Sequence, residues 1–100
     1  MTLNLHPPHL LFLGDIKNPL DAKTAMGVLA WRPEHCIGQF RLPGCQVDLG
    51  LPDLNPAEAF NAGARSLLIG VAPVGGEIAP KWLESIRLSL NSGLSVVSGL

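Results

Sequence analysis

The sequence predicts an α/β fold of three layers, with a four-stranded parallel sheet between helices. Four short apolar runs alternate with three segments that carry helix signals. The runs contain few polar residues, which is typical of parallel strands that are covered on both faces. The chain has 100 residues, of which 47% are hydrophobic, and a formal net charge of -1. These values fit one domain with a small core.

The predicted strands are the segments 9–14 (HLLFLG), 36–42 (CIGQFRL), 66–72 (SLLIGVA) and 94–100 (LSVVSGL). Right-handed crossovers would join them into a Rossmann-like sheet. The pattern leaves two strand orders open, 2-1-3-4 and 3-2-1-4. The last run is not followed by a covering helix, so we expect residues 1–100 to be one domain at the front of a longer polypeptide.

The first helix is predicted from Asn18 as the capping residue and Pro19 in the first helical position. Asp21 follows three residues after the cap, a variant of the capping box. The helix should end near Arg32, because Pro33 disfavours the helical conformation in the residue before it.

The second helix repeats this pattern with Asn55, Pro56 and Glu58, and Gly63 can end it. It is predicted to be short.

The third helix begins at Pro80 and ends before Gly93, which suits a left-handed terminal residue. Within it, Leu83, Ile86 and Leu90 trace an apolar stripe of the kind that faces a core.

Composition argues against several classes of protein. Seven basic and eight acidic residues are spread without runs, so nucleic acid and anionic membrane surfaces are not expected partners. The start lacks a basic leader, and no segment has the roughly 18 apolar residues of a membrane span. We therefore expect a cytoplasmic protein. Cys36 and Cys45 are predicted to be reduced, and their pattern does not indicate a metal site.

Ligands of open parallel sheets bind outside the carboxyl ends of the strands. That rule selects the loop at Gly14 and Asp15, the loop 41–54, the loop 72–77, and Ser98 with Gly99.

The three histidines, His6, His9 and His35, precede strands and should lie at the opposite edge. A histidine-activated serine or cysteine nucleophile within this chain is therefore not expected.

The segment 11–24 (LFLGDIKNPLDAKT) does not match a phosphate-binding loop. It lacks the second glycine of a Walker loop and of the dinucleotide fingerprint, and Lys23 lies about a turn inside the helix. We interpret the segment as a capped turn from strand to helix.

The loop 41–54 is the richest in functional groups. Arg41 could bind a carboxylate or phosphate through its planar fork, or it could pair with Asp48 to order the loop, and the sequence leaves both open. Cys45 is interpreted as a small apolar residue rather than a nucleophile.

Other candidate features are weaker. Gly75 and Gly76 permit a close approach of the backbone to a ligand. Trp31 and Trp82 are interpreted as core or domain-interface anchors.

Several segments in order resemble the amino-terminal domain of the D-glutamate N-acetyltransferase family. They are LLFLGD, AKTAMGVLAWRPEHCIGQFRLPGCQVDLGLPDL, GARSLLIGVAPVGG, IAPKWL and GLSVVSGL, which together cover nearly all of residues 10–100. The resemblance implies a Rossmann-like first domain, a larger P-loop-type domain in the same polypeptide, and acetyl transfer from acetyl-CoA to the amino group of D-glutamate. This chain lacks the P-loop part and should be inactive alone.

On that reading the domain contributes to substrate binding or domain docking, in a protein we expect to be a homo-oligomer. Arg41 and Lys23 are candidates to bind the substrate carboxylates, and Asp15 or Asp48 to shape the crevice. The candidate backbone positions are Gly14, Gly44, Gly75 and Gly76, and the catalytic residues are not assigned.

Two alternatives remain. One is a non-catalytic interaction or oligomerisation domain that docks through its last strand and Trp82. The other is a small stand-alone nucleotide- or CoA-binding module, against which the missing glycine motifs argue.

Overall fold

A computed structural model describes residues 7–71 and 79–98 of the chain. It contains a four-stranded, fully parallel sheet in the order β2-β1-β3-β4. The strands are β1 (His9–Gly14), β2 (Cys36–Arg41), β3 (Ser66–Ile69) and β4 (Ser95–Ser98). The predicted fold class is confirmed, and the strand order is 2-1-3-4, one of the two that the sequence left open.

Three α-helices accompany the sheet: α1 (Lys23–Trp31), α2 (Pro56–Asn61) and α3 (Pro80–Asn91). Right-handed crossovers place α1 on one face, and place α2 and α3, which contact each other, on the other. The described helices include none that is both long and apolar enough to cross a lipid bilayer.

The helix starts follow the sequence signals to different degrees. At α2 the full capping box forms, since Asn55 accepts from the Glu58 backbone N–H at 2.8 Å and Glu58 accepts from the Asn55 N–H at 3.0 Å. Before α1, a single 3-10 turn (Pro19–Ala22) intervenes, and Asn18 accepts from the Leu20 N–H instead. The tighter turn brings that earlier N–H to the cap, so the capping box predicted with Asp21 does not form.

The core is centred on β1, where Leu10, Leu11, Phe12 and Leu13 are completely buried. Phe12 packs edge-to-face against Phe40 and Trp82, with ring centroids 5.6 and 5.4 Å away. The apolar sequence of this run predicts such a strand, which is covered on both faces of the sheet.

Helix α3 packs on the sheet through an unexpected face. Trp82, Ser85 and Ser89 are buried, whereas Leu83 and Leu90 are 52% and 56% exposed. The hydroxyl groups of Ser85 and Ser89 donate to the backbone carbonyls four residues earlier, both at 2.9 Å, so they are buried without an unmet hydrogen bond. Of the predicted apolar stripe, only Ile86 packs against the core, and the two leucines face outward.

The two tryptophans differ in how deeply they are buried. Trp82 is 5% exposed and belongs to the core. Trp31, at the end of α1, is 67% exposed, and the guanidinium of Arg32 lies 4.7 Å from its ring centroid. Trp31 is therefore not a core residue, and the burial of Trp82 leaves it unable to dock a partner from the surface.

The edge of β2 is covered by the end of the loop 42–55. The Gln39 N–H donates to the Pro52 carbonyl at 2.9 Å and the Leu54 N–H donates to the Gln39 carbonyl at 3.0 Å. Asp53 and Gln39 thus form an isolated parallel bridge. This segment satisfies backbone groups that an edge strand would otherwise leave open.

Candidate functional site at the carboxyl edge of the sheet

The strand order fixes where a ligand of this fold would bind. The chain leaves β1 toward β2 and leaves β3 toward β4, in opposite directions. The crevice of an open parallel sheet lies at this reversal, outside the carboxyl ends of β1 and β3. Gly14 and Asp15 border it, together with the start of α3. Gly75, Gly76 and Gly99, which the sequence also placed at this edge, lie outside the described residues.

The Trp82 side chain fills the space above the end of β1. A Cβ atom on Gly14 would lie 2.5 Å from the Trp82 Cε2 atom, and Gly14 has a φ of +58°. The indole N–H donates to Asp15 Oδ1 at 2.8 Å. Glycine is required here by the backbone conformation and by the indole, so its presence does not indicate a phosphate-binding turn.

Asp15 connects β1 to the start of α3. Besides the indole, it pairs with the Lys81 ammonium, whose Nζ lies 2.5 Å from Oδ2. Hydrogen bonding from Lys81, and then from Trp82, lowers the pKa of the Asp15 carboxyl. The carboxylate is thus held in its charged form between two donors on α3.

Arg41 is engaged within its own loop. Its Nε and Nη2 donate to the two carboxylate oxygens of Asp53 at 2.7 and 2.8 Å, and its Nη1 donates to the Val47 carbonyl at 3.3 Å. Asp48 is farther, at 3.8 Å. The bidentate bond lowers the pKa of Asp53 and raises that of Arg41. Arg41 thus forms an ion pair that orders the loop, which is one of its two predicted roles. Its main partner is Asp53 rather than Asp48.

Gln39 is the residue that sequence reasoning missed. Its side chain is completely buried, and its amide nitrogen donates to Asp48 Oδ1 at 2.8 Å and to the Leu51 carbonyl at 3.1 Å. Its amide oxygen accepts from the Leu49 N–H at 2.8 Å. The sequence contained a signal for this role, because Gln39 is an uncharged polar residue between Gly38 and Phe40 in the middle of a predicted strand, where a buried polar group needs partners.

Asp48 is held by the same network. It accepts from Gln39 and from the Gly50 backbone N–H, and these bonds lower the pKa of its carboxyl in that order. Gln39 and Arg41 therefore bind both acidic residues of the loop from the strand that precedes it.

The lysines at this edge differ in their contacts. The Lys17 ammonium donates to the Gly44 carbonyl and so joins the loop after β1 to the loop after β2. Gly44 has a φ of +92°, which favours glycine. Lys23 lies exposed at the start of α1, and none of the ion pairs found among residues 7–71 and 79–98 includes it.

Of the predicted binding side chains, Arg41 and Asp48 come together in one loop. Asp15 lies apart from them, on the side of α3, and Lys23 begins α1. The structure therefore forms two bonded groups at this edge rather than one cluster of four.

His9 and His35 lie at the opposite, amino edge of the sheet, as predicted, with ring centroids 6.3 Å apart. His6 is outside the described residues. Burial lowers the pKa of His9, and the neighbouring His35 adds to this.

Within the described part of the chain, no three histidine, cysteine or acidic residues are grouped to hold a metal ion.

Cys36 and Cys45 are both free, as predicted. Burial, followed by the charge of Glu34, raises the pKa of the Cys36 thiol. The Cys45 thiol is half-buried and donates to the Val47 carbonyl at 3.5 Å. The contacts of Cys45 agree with its interpretation as a packing residue.

Comparison with known proteins identifies the family. The model of a domain of unknown function, DUF1611_N, described as a Rossmann-like domain, matches residues 40–100. A D-glutamate N-acetyltransferase from Tritonibacter scottomollicae is 46% identical over 96 residues, which are 96% of this chain and 29% of that protein. A D-glutamate N-acetyltransferase from a Pseudoalteromonas species is 38% identical over 98 residues, 98% of this chain and 30% of that protein.

The chain thus spans less than a third of the length of these relatives. The resemblance predicted from the sequence is confirmed, and the parallel sheet agrees with the description of the family. The chain belongs to the DUF1611_N family of Rossmann-like domains.

Proposed function

We propose that this chain is the amino-terminal domain of an N-acetyltransferase that acts on D-glutamate. The observation that carries the proposal is the 46% identity to a D-glutamate N-acetyltransferase across 96% of the chain. Because the chain spans only 29% of that protein, the reaction is assigned to a full-length polypeptide. The predicted P-loop-type domain would lie in the remaining part, and this domain alone would be inactive.

The name of the relatives supports acetyl-CoA as the acetyl donor. The described residues do not fit its phosphates at the usual place, since the Trp82 indole fills the space above Gly14. On this proposal the donor binds to the rest of the polypeptide. The same observation weighs against a stand-alone nucleotide- or CoA-binding module.

The domain's own contribution would be a rigid wall of the D-glutamate site. Lys23 is the candidate to contact a substrate carboxylate, because it is exposed at the carboxyl edge and is not used in the ion pairs found among the described residues. Arg41 would act as a positioning residue, since its fork is occupied by Asp53. Asp15 would position the start of α3 in the same way.

Steady-state kinetics of the full-length enzyme test this proposal. With acetyl-CoA as the acetyl donor, the enzyme should release CoA when D-glutamate is the acceptor and should release none when L-glutamate is the acceptor. Lys23→Ala should raise the KM for D-glutamate by about 10-fold or more, with a smaller change in kcat, because a hydrogen bond to a charged group contributes about 1.5–3 kcal/mol.

Arg87→Ala is the matched control, because Arg87 is an exposed cation on the outer face of α3. If the full-length enzyme did not acetylate D-glutamate, the proposed function would be overturned. If Lys23→Ala left the KM for D-glutamate unchanged, only the proposed role of Lys23 would be overturned.

A non-catalytic interaction domain is the second candidate, and the exposure of Leu83, Leu88 and Leu90 on α3 favours it. Sedimentation over a range of concentrations would support it if the mass rose with concentration while the full-length protein lacked transferase activity. The cytoplasmic location and the homo-oligomeric state stay predictions.

A further inference from the structure

One flank of α3 presents an apolar surface that the described residues leave uncovered. Leu83 and Leu90, two helical turns apart, are 52% and 56% exposed, and Ile86 lies partly buried between them. The spacing i, i+3, i+7 places these three side chains on one side of the helix. Here we call them the α3 flank. The helix therefore has a sheet-facing side of tryptophan and serines, and a separate apolar side next to it.

The direction of the α3 flank follows from two rules of handedness. A right-handed crossover carries the chain from β3 over α3 to β4, with α2 on the other side of α3. With Trp82, Ser85 and Ser89 against the sheet, the right-handed turn of the helix points the α3 flank away from α2 and past β4. Leu88, which is 46% exposed, points the opposite way, toward α2.

Strand β4 is exposed on the same side of the molecule. Among the described residues it pairs only with β3, whereas the other edge strand, β2, is covered by the bridge between Gln39 and Asp53. Val96 and Val97 lie on opposite faces of β4 and both are only partly buried. Valines on both faces are typical of a strand inside a parallel sheet rather than at its edge.

We propose that the α3 flank and the edge of β4 bind a further helix and a fifth parallel strand of the same polypeptide. A right-handed crossover that left β4 in the same direction would lay its helix on the α3 side of the sheet, directly against Leu83, Ile86 and Leu90. Its strand would then pair with β4. The length of the relatives, of which this chain spans 29–30%, supports polypeptide from the same chain as the occupant. The inference rests on the full-length polypeptide of the proposed function.

Cysteine labelling of the full-length polypeptide tests the inference. Leu83→Cys and Leu90→Cys place thiols on the α3 flank, and Leu88→Cys is the control on the opposite side of the same helix with similar exposure. Peptide mapping separates these thiols from Cys36 and Cys45. In the native protein, maleimide should modify residues 83 and 90 at least about tenfold more slowly than residue 88, and denaturation in urea should remove the difference.

Equal labelling of all three positions would overturn the inference. Protection that disappears on dilution, together with a halved mass in sedimentation, would also overturn it, because the occupant would then be a second copy of the chain. Hydrogen exchange tests the strand: the amides of 95–98 that point away from β3 should be protected, and rapid exchange there would contradict the fifth strand.

The labelling result does not depend on catalysis. Protection of residues 83 and 90 in a protein that does not acetylate D-glutamate would refute the proposed function alone. Acetylation by a protein with unprotected thiols would refute the docked helix alone.

Discussion

Replacing Gln39 by leucine should remove the main link between β2 and the loop that follows it. The Leu side chain has a similar size but cannot form the hydrogen bonds to Asp48, to the Leu51 carbonyl and to the Leu49 N–H. Because Gln39 is completely buried, two backbone groups would lose a partner in a place where water does not readily replace it.

The expected loss of stability is about 2 kcal/mol, from about 1 kcal/mol for each of the two unsatisfied backbone groups. That is a large part of the roughly 5–15 kcal/mol that stabilises a domain of this size. A change of this size should lower the melting temperature by about 8–16 °C.

Urea denaturation followed by the fluorescence of Trp31 and Trp82 measures the effect. Gln46→Leu is the matched control, since Gln46 is exposed in the same loop, and its free energy of unfolding should change by less than about 0.5 kcal/mol. If Gln39→Leu unfolded at the same urea concentration as Gln46→Leu, the role given to the Gln39 network would be refuted.

Two further predictions concern the two edges of the sheet. Trp82→Phe keeps an aromatic ring against Phe12 but loses the indole N–H that bonds to Asp15. The substitution should lower the free energy of unfolding by about 1–2 kcal/mol. Unchanged stability in urea would contradict a stabilising bond between Trp82 and Asp15. Burial lowers the pKa of His9, so the unfolded chain binds more protons just below the ordinary pKa of about 6.5. The free energy of unfolding should therefore fall as the pH drops through and below that value, and should level off above it. His9→Leu should flatten this pH dependence. An equal slope of stability against pH in the variant would show that another group causes it.

The fold could be predicted because its signals are local. The apolar strands, the Asn-Pro helix starts and the alternation of elements each restrict the chain before any tertiary contact forms. The strand order could not be predicted, because both orders satisfy the same crossover rule. It depends on which strands pair with β1, and the sequence pattern does not specify that.

The orientation of α3 shows a second limit. Periodicity identified Leu83, Ile86 and Leu90 as one side of the helix, but it does not indicate what that side packs against. Ser85 and Ser89 lie against the sheet because their hydroxyl groups bond within the helix and their small size suits a close approach. An apolar stripe can thus face outward, and on our proposal the partner of this one belongs to another part of the polypeptide.

The sequence predicted the edge of the sheet at which the candidate loops lie, but not the contacts within those loops. The carboxyl edge follows from strand direction alone, so the loops at Gly14 and Arg41 could be selected from the sequence. The choice of Asp53 over Asp48 as the partner of Arg41 depends on how the loop folds back along β2. The buried Gln39 bonds to that loop at Asp48, Leu49 and Leu51, and only its polarity between apolar neighbours indicated its role.

The measurement that tests the central claim most directly is a titration of the ¹⁵N-labelled chain with acetyl-CoA, followed by NMR. The structure has the Trp82 indole in the space above Gly14, with its N–H bonded to Asp15. We therefore predict that the Gly14 amide and the Trp82 indole N–H signals stay in place as acetyl-CoA is added. Saturable shifts of both signals would show that the crevice opens to acetyl-CoA, and would contradict the proposed role of this domain as a wall and docking element of a longer enzyme.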